Sequence, residues 1–142
     1  LHQMAGNSSD KVIEVHGTVR KVMCMSCGVT APMQRVLDRV RAGEADPPCR
    51  DCGGILKSAT ISFGQQLVPE VIDRAMRVAG EADLFLSIGT SLQVYPVAGT
   101  VEVAQAHGAR IVILNAEETP FDAIADAVLR ERIGSVLPVL LE

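Results

Sequence analysis

Residues 84–117 read LFLSIGTSLQVYPVAGTVEVAQAHGARIVILNAE, and this stretch decides the fold. It begins with an apolar run from Leu84 to Ile88 and closes with a second one from Ile111 to Leu114. Between the runs, the pattern predicts a helix from Pro96 to His107, which Gly108 stops. Strand, helix and strand within about thirty residues is the size of a βαβ unit. Because both strands are almost continuously apolar, the pattern predicts a parallel sheet covered on both faces.

The sequence on either side continues the alternation of helix and strand. A helix is predicted from Pro69 to Gly80, since proline fits a first helical turn and glycine favours a helix end. After the second strand, we expect a helix near Phe121–Ala125, a short strand near Ala127–Leu129 and a C-terminal helix near Gly134–Leu141. The predicted fold class is α/β, with a Rossmann-like parallel sheet.

Composition narrows the possible functions. The chain has 142 residues, a formal net charge of −4 and 48% hydrophobic residues, which excludes a disordered chain. The apolar runs are far too short to span a bilayer, so no membrane contact is predicted. The acidic charge and an aromatic content of 3% argue against direct nucleic-acid binding, which relies on basic patches or on stacking aromatics.

The first half of the chain carries a second, smaller module. Its four cysteines, Cys24, Cys27, Cys49 and Cys52, form the pattern C-x2-C-x21-C-x2-C, close to the spacing of a zinc ribbon. Apolar residues at helical spacing, stopped by Gly43, predict a short helix between the two pairs. Four thiolates would leave no open coordination position, so the predicted zinc is structural. Disulfides or a redox pair are the alternatives, but paired C-x2-C motifs in an acidic chain of this size favour a reducing, cytoplasmic compartment.

The carboxyl ends of the two apolar strands are the predicted ligand site, because open parallel sheets bind ligands there. Gly89-Thr90-Ser91 follows the first strand and Asn115-Ala116-Glu117 the second. A carboxylate at this position can accept hydrogen bonds from ribose hydroxyls. The plainer alternative is that the first segment is a turn and Asn115 a helix cap. No G-x-G-x-x-G phosphate loop is present.

Two further features carry chemistry or a structural role. His16 follows a short strand predicted from Lys11 to Val15, and a histidine there can act as a general base near neutral pH or remain structural. His107 is read as a structural residue at a helix end. The stretch Ile61-Ser62-Phe63-Gly64 is either an extended segment that pairs with a peptide or an ordinary connecting strand.

Taken together, these segments resemble the sirtuin (Sir2) family of NAD-dependent protein deacylases. The motifs follow the family's order through essentially the whole chain. The matching segments are His2 with Ala5-Gly6, Val15 to Thr18, the four cysteines, Ile61 to Gly64, Gly89 to Leu92, Val94 to Pro96, and Ile113 to Glu117.

The resemblance implies a role for each predicted site residue and two cofactors, NAD and one structural zinc. His16 corresponds to the catalytic base, and the four cysteines correspond to the zinc ligands. The residues that correspond to cofactor-binding positions are Gly89, Thr90, Ser91, Asn115 and Glu117. Those that correspond to substrate-binding positions are Ile61, Phe63, Gly64 and Val94.

The reaction implied by the resemblance is deacylation of an acyl-lysine in a protein or peptide. The substrate would lie between the zinc module and the Rossmann-like domain. The acyl oxygen attacks the nicotinamide ribose and expels nicotinamide. His16 then takes a proton from a ribose hydroxyl, which attacks the resulting imidate. The products are the free lysine and O-acyl-ADP-ribose.

Departures from the family pattern lead to an expectation about the extent of the chain. Gln65 stands where the family usually has Glu, and Ser62 replaces a Phe. The glycine-rich G-A-G-x-S loop and the Q-N-x-D residues are not in the chain and are expected before Leu1. We therefore expect the C-terminal part of a sirtuin, with the first part of the sheet missing and little or no activity alone.

The expected organisation has three parts: residues 1–16 enter the Rossmann-like domain and carry His16, residues 17–58 form the inserted zinc-ribbon module, and residues 59–142 form the later portion of the NAD-binding domain.

Two alternative functions stay open. One is a zinc-stabilised fragment that binds peptides or a partner without catalysis, and the other is mono-ADP-ribosyl transfer. The sheet edge left by a missing segment also predicts a homodimer that pairs through this edge.

Overall fold

The computed structural model describes residue His2 and residues 5–140. The chain divides into two compact units, Leu1–Leu67 and Val68–Glu142. The division falls just before Pro69, where the predicted first helix of the α/β portion begins.

The first unit is built on a small antiparallel sheet. Its strands are β1 (Gly17–Cys24), β2 (Thr30–Pro32) and β3 (Leu56–Thr60), in the order β2-β1-β3. Helix α1 (Met33–Arg41) packs against β1 and β2 and confirms the helix predicted between the cysteine pairs. Pairing of Cys24 with Leu56 brings the end of β1 beside the start of β3, and each of these strand ends adjoins a cysteine pair.

The strand predicted from Lys11 to Val15 is wrong. A single 3-10 turn, Ser9–Lys11, occupies its start, and the chain then turns rather than extends. The N–H of Gly17 donates to the carbonyl of Glu14 at 2.9 Å, and Gly17 has a φ of +72°, which favours glycine. β1 begins only at this glycine, so His16 lies in a turn before the strand instead of at the end of one.

The second unit contains a parallel sheet, as predicted. Its strands are β4 (Leu84–Ile88), β5 (Arg110–Leu114) and β6 (Ala127–Leu129), in the order β4-β5-β6. The helices are α2 (Pro69–Gly80), α3 (Gly99–Ala106) and α4 (Ile133–Leu140), with a 3-10 turn at Asp122–Ile124. Both β4–β5 and β5–β6 pair in parallel, so their carboxyl ends meet at one edge of the sheet.

The core of the second unit lies on one face of this sheet. Ile111 and Ile113 of β5 are completely buried, as are Val101 and Ala104 of α3. The opposite face of β4 is more open, since Leu84 is 58% exposed and alternates with residues that pack toward the core. Within the described residues, the expectation of a parallel sheet covered on both faces is therefore wrong at β4, whereas Leu114 of β5 is completely buried.

Other differences concern element ends. The helix predicted from Pro96 begins at Gly99, because the N–H of Gly99 donates to Pro96 in a tight turn that precedes α3. The helix expected at 121–125 is only the 3-10 turn. Helix α2 ends at Gly80 without a left-handed glycine. The end predicted at Leu141 lies outside the described residues, and no helix in the described ranges combines the length and apolar character that a membrane span needs.

Candidate functional site

The sulfur atoms of Cys24, Cys27, Cys49 and Cys52 lie within 4.8 Å of one another. Those of Cys24 and Cys52 are 3.5 Å apart, and those of Cys27 and Cys49 are 3.8 Å apart. A tetrahedral zinc with metal–sulfur bonds of about 2.3 Å holds its sulfurs about 3.8 Å apart. These distances are far longer than a disulfide bond, so the cluster fits a zinc ion and does not fit two disulfides.

Two similar turns build this cluster. In each, the glycine after the second cysteine donates its N–H to the carbonyl of the first cysteine: Gly28 to Cys24 at 3.0 Å and Gly53 to Cys49 at 2.9 Å. Gly28 and Gly53 have φ values of +74° and +72°, which glycine adopts without steric cost. The repeated pattern Cys-x-x-Cys-Gly therefore encodes two matching halves of one metal site.

Gly54 allows the two turns to approach each other closely. A Cβ atom at Gly54 would lie 2.5 Å from the side-chain oxygen of Ser26 and 3.0 Å from the sulfur of Cys24. The N–H of Met25 donates to the carbonyl of Ile55 at 2.9 Å and links the two turns through their backbones. Any side chain at Gly54 would push the cysteine pairs apart.

Arg39 of α1 positions the segment that leads to the second cysteine pair. Its guanidinium donates two hydrogen bonds of 2.7 Å to the carboxylate of Glu44 and one of 2.8 Å to the carbonyl of Pro48. The Arg39 hydrogen bond is the main cause that lowers the pKa of Glu44 below its ordinary value. Residue Cys49 directly follows Pro48, so this contact places the start of the second turn.

The pKa values of the thiols reflect their crowding. The pKa of Cys24 is lowered to about 6, chiefly because the N–H of Cys27 donates to its sulfur. The pKa of Cys52 is raised to about 12: the N–H of Gly54 favours the thiolate, but the nearby sulfurs of Cys27 and Cys24 outweigh it. A divalent cation removes this conflict, since each thiolate then pairs with the metal.

His16 and the predicted peptide-binding stretch are adjacent. The carbonyl of His16 accepts a hydrogen bond of 2.9 Å from the N–H of Ile61, just beyond the pairing of Gly17 with Thr60. The His16 side chain is exposed. The exposed imidazole therefore lies at the start of the stretch that carries Phe63 and Gly64.

The stretch from Ser62 to Gln65 is a turn, so its prediction as an extended strand is wrong. The N–H of Gln65 donates to the carbonyl of Ser62 at 3.0 Å, and Gly64 has a φ of +85°. The side-chain oxygen of Gln65 accepts from Ser62 at 2.9 Å and from Lys57 at 3.2 Å. Phe63 is thereby held at the tip of the turn with 95% of its surface exposed.

In the second unit, the two predicted strand ends are neighbours. The N–H of Gly89 donates to the carbonyl of Leu114 at 2.9 Å, which places Gly89 beside Asn115. Gly89 has a φ of +61°, and a Cβ there would lie 3.0 Å from Ile133. The hydroxyl of Thr90 accepts from the N–H of Leu92 at 3.3 Å, while Ser91 is exposed.

The turn after β5 is stabilised by the side chain of Asn115. The amide nitrogen of Asn115 donates to the carbonyl of Glu117 at 2.9 Å, so Asn115 stabilises a turn and caps no described helix. The carboxylate of Glu117 is exposed and has no hydrogen-bond partner among the described residues. It is free to accept hydrogen bonds from a ligand.

Comparison with known proteins gives the family. The model described as "Sir2 family" matches residues 1–96. The chain belongs to the Sir2 family. It is 55% identical over 141 residues to NAD-dependent protein deacetylase 2 of Streptomyces coelicolor, covering 99% of this chain and 58% of that protein. With an NAD-dependent protein deacetylase of Sulfolobus acidocaldarius it shares 46% identity over 141 residues, covering 99% of the chain and 54% of the relative.

Solved Sir2 structures have the same fold. A Sir2 complex with a p53 peptide and NAD+ superposes with a TM-score of 0.89 at 30% identity, covering 99% of this chain and 57% of that one. Sir2Tm bound to a propionylated peptide gives 0.90 at 30% identity, with coverage of 99% and 58%. This Sir2-family chain thus spans a little over half the length of the relatives it matches.

The structure brings the predicted sirtuin residues together in two groups. His16, Ile61, Phe63, Gly64 and the cysteines belong to the first unit; Gly89, Thr90, Ser91, Asn115, Glu117 and Val94, which is 45% exposed, belong to the second. Sequence reasoning missed two supporting arginines, Arg39 and Arg130. For Arg130, a local sequence signal lies at its partner Asp122, because Thr119-x-x-Asp122 has the spacing of a capping box.

Proposed function

We propose that a protein carrying this chain is an NAD-dependent protein lysine deacylase. The observation that carries the proposal is the pairing of strand ends in the second unit, which places Gly89, the start of the Gly89-Thr90-Ser91 segment, beside Asn115, the start of the turn that carries Glu117. An open parallel sheet binds nucleotides at such adjoining carboxyl ends. Membership of the Sir2 family and the relatives named as NAD-dependent protein deacetylases support the same reaction.

The second unit holds the adenosine side of NAD in this proposal. The positive φ of Gly89 suits a glycine and turns the backbone at the end of β4, and the Ser91 hydroxyl that follows is exposed for hydrogen bonding. The exposed carboxylate of Glu117 accepts hydrogen bonds from ribose hydroxyls. Bound NAD would supply the ribose carbon that receives the acyl oxygen of the substrate.

The first unit supplies the base and part of the peptide surface. His16 takes a proton from a ribose hydroxyl through its exposed imidazole, because histidine is the side chain that most often serves as a general base near neutral pH. Ile61, Phe63 and Gly64 contact the acyl-lysine peptide, and in the second unit the substrate-binding residue of this proposal is Val94, which is 45% exposed. The hydrogen-bonded turn supports this role, because it presents the large apolar ring of Phe63 to solvent.

The zinc ion is structural in this proposal. Four sulfur ligands fill a tetrahedral shell and leave no position for water or substrate. The cysteines therefore stabilise the unit that carries His16 and take no part in the chemistry. Reduced thiols of this kind are typical of a reducing compartment, in line with the predicted cytoplasmic location.

A chimera tests the function. The chain replaces its matching segment in the Streptomyces coelicolor relative, and deacylation of an acetyl-lysine peptide is followed by mass spectrometry with and without NAD. We expect NAD-dependent release of the acyl group, and loss of at least about a hundredfold in rate for His16→Ala. His107→Ala is the matched control, because the His107 ring hydrogen-bonds the carbonyl of Val103 at the end of α3 and has no part in the proposed site.

An inactive chimera that binds one zinc and melts cooperatively would contradict the deacylase proposal. Retained peptide binding in that case would favour the non-catalytic alternative, which the exposed Phe63 also supports. The 142 residues alone contain no glycine-rich phosphate loop, and we propose that they show little or no turnover. Robust NAD-dependent deacylation by the purified chain would refute that part.

We also propose that β4 mediates contact between two copies of the chain. β4 is an edge strand of its sheet, and its exposed face carries Leu84 and Leu86, which are 58% and 40% exposed. Light scattering over a concentration series should show a dimer that Leu86→Lys abolishes. Val139→Lys, at an exposed position on α4, is the control, and a monomer at all concentrations would contradict the contact.

A further inference from the structure

Arg130 reaches from the end of β6 to the turn that follows β5. One terminal nitrogen of its guanidinium, Nη1, donates to two backbone carbonyls, those of Asn115 and Glu117, each at 2.9 Å. The N–H of Asn115 also donates to the carbonyl of Leu129 at 3.1 Å, directly before Arg130. The residues proposed to bind the ribose are thus tied to β6 through both the backbone and one side chain.

Asp122 holds the other side of the guanidinium. Nη2 of Arg130 donates to the Asp122 carboxylate, which also accepts from the N–H of Thr119 at 3.1 Å and from its hydroxyl at 2.7 Å. Thr119 is buried, with 8% of its surface exposed. The hydroxyl of Thr119 is the leading cause of the lowered pKa of Asp122, so the carboxylate is charged at neutral pH. Arg130 is therefore fixed between a charged partner and the two carbonyls it holds.

We propose that Arg130, held by Asp122, is a positioning residue that fixes the Asn115–Glu117 turn for binding the ribose of NAD. The inference rests on the proposed NAD site and adds residues that do not themselves touch the ligand. Two carbonyls on either side of Ala116 converge on one nitrogen, which restricts the turn to a single arrangement. The Glu117 carboxylate is then presented to the ligand before binding, so less ordering remains to be done when NAD arrives.

A second arginine–aspartate pair provides a matched control. Arg110 donates to Asp126 at 2.6 Å, and Asp126 accepts from the N–H of Ile111 at 2.8 Å. This pair belongs to the same sheet but lies at the amino end of β5, away from the strand ends proposed to bind NAD. If Arg130 only stabilised the fold, the two arginines should behave alike.

NAD binding to the 142-residue chain tests the inference. NAD is titrated into ¹⁵N-labelled protein, and the dissociation constant is taken from the amide shifts of Asn115 and Glu117. Arg130→Ala should weaken binding roughly tenfold, as expected when the competent turn is populated only a tenth of the time. Arg130→Lys keeps the positive charge but lacks the two terminal nitrogens of the guanidinium, and it should recover part of the lost affinity. Arg110→Ala should bind NAD as the unaltered chain does.

Amide hydrogen exchange without NAD gives an independent readout. Exchange at residues 115–117 should be faster in Arg130→Ala and unchanged in Arg110→Ala. Asp122→Asn keeps the shape of the partner but removes its charge, and it replaces Arg130→Ala if that variant does not fold; it should weaken NAD binding in the same direction. Equal NAD affinity in the Arg130 and Arg110 variants would overturn the positioning role alone. An unaltered chain whose turn amides do not respond to NAD would overturn the proposed NAD site and this inference with it.

Discussion

Zinc removal should unfold the first unit and leave the second folded. Among the described residues of the first unit, the buried apolar side chains are Val22 and Pro47, accompanied by the ligand residues Cys24 and Cys49. Full burial of one valine contributes roughly 1.5–3 kcal/mol, whereas ordering the backbone costs roughly 1–2 kcal/mol for every residue. So small a core cannot offset the entropy of the unit without the metal.

The size of the effect follows from the same comparison. Structural zinc sites supply about 10–16 kcal/mol of apparent binding free energy at neutral pH, and this energy is available to folding. The second unit has a core of its own, centred on Ile111, Ile113 and Val101, with every member drawn from that unit. Chelation should therefore remove one unit's structure while the other keeps its packing.

The assay combines metal content with residue-level structure. Elemental analysis should find one zinc per chain, and a chelator titration followed by ¹⁵N–¹H NMR should collapse the amide dispersion of β1 and β3 while Ile113 stays dispersed. Cys27→Ser should reproduce the collapse at low zinc. Ser26→Ala is the neighbouring control, since it alters the same turn but leaves all four sulfurs in place.

Two outcomes would refute this reasoning. A chain with well under about a tenth of a zinc per molecule and a fully dispersed first unit would show that the metal is dispensable. Loss of both units in one step on chelation would show that the second unit depends on the first, contrary to its separate core.

The remaining predictions concern backbone strain, core packing and acid stability. Gly17→Ala places a Cβ 2.1 Å from a backbone oxygen and should destabilise the first unit by about 3 kcal/mol or more, whereas Gly43→Ala, with a φ of +99° but open space, should cost about 1–2 kcal/mol in urea titrations. Ile111→Ala removes a completely buried side chain and should cost about 2–5 kcal/mol, against less than about 1 kcal/mol for Ile124→Ala, which is 37% exposed. The pKa of Asp126 is lowered chiefly by the N–H of Ile111, so its contribution to stability is present above the ordinary aspartate pKa and is lost as pH falls through the lowered value. Acid titrations of Asp126→Asn should accordingly show a shallower loss of stability below about pH 4 than the unaltered chain.

Each of these predictions has a contrary result. Equal costs at Gly17 and Gly43 would show that the backbone near β3 relaxes around an added methyl group. A small cost for Ile111→Ala would mean that the core collapses into the cavity. An unchanged acid profile for Asp126→Asn would show that other carboxylates dominate the unfolding of the second unit at low pH.

The sequence predicts an element accurately where interactions between neighbouring residues determine it, and less accurately where contacts between distant parts of the chain do. Helix α2 and strand β4 have the predicted bounds, because an amphipathic period and a short apolar run depend on neighbouring residues alone. The strand predicted before His16 failed because two close approaches decide that region: the Glu14–Gly17 turn and the contact of Gly17 with Ala59. Neither is visible in the alternation of apolar residues.

The candidate sites show the same contrast between residues that local motifs reveal and residues that they do not. The cysteine cluster was predictable because metal ligands lie in two local motifs, each followed by a glycine that permits the turn. The strand ends were predictable because parallel pairing brings them to one edge. Phe63 was placed in an extended segment, although the following glycine and the side chain of Gln65 close a turn. The Ser-Phe-Gly-Gln sequence could have signalled that turn, since glycine at its third position suits a positive φ.

The supporting residues were the hardest to predict, and the reason is geometric. Arg130 is far along the chain from Asn115, and its partner Asp122 lies between them, so no periodic pattern links the three. They meet because β5 and β6 pair in parallel, which places Arg130, the residue after β6, beside the turn that follows β5, and because Asp122 in that connection accepts from the Arg130 guanidinium. In such a sheet, the loop that follows one strand can bind a ligand. A side chain that follows the next strand can hydrogen-bond that loop and hold it in place, as Arg130 does here. We therefore expect an arginine that follows the neighbouring strand, together with a carboxylate in the connection before that strand, to govern how well a ribose-binding turn is ordered, even when neither contacts the ligand.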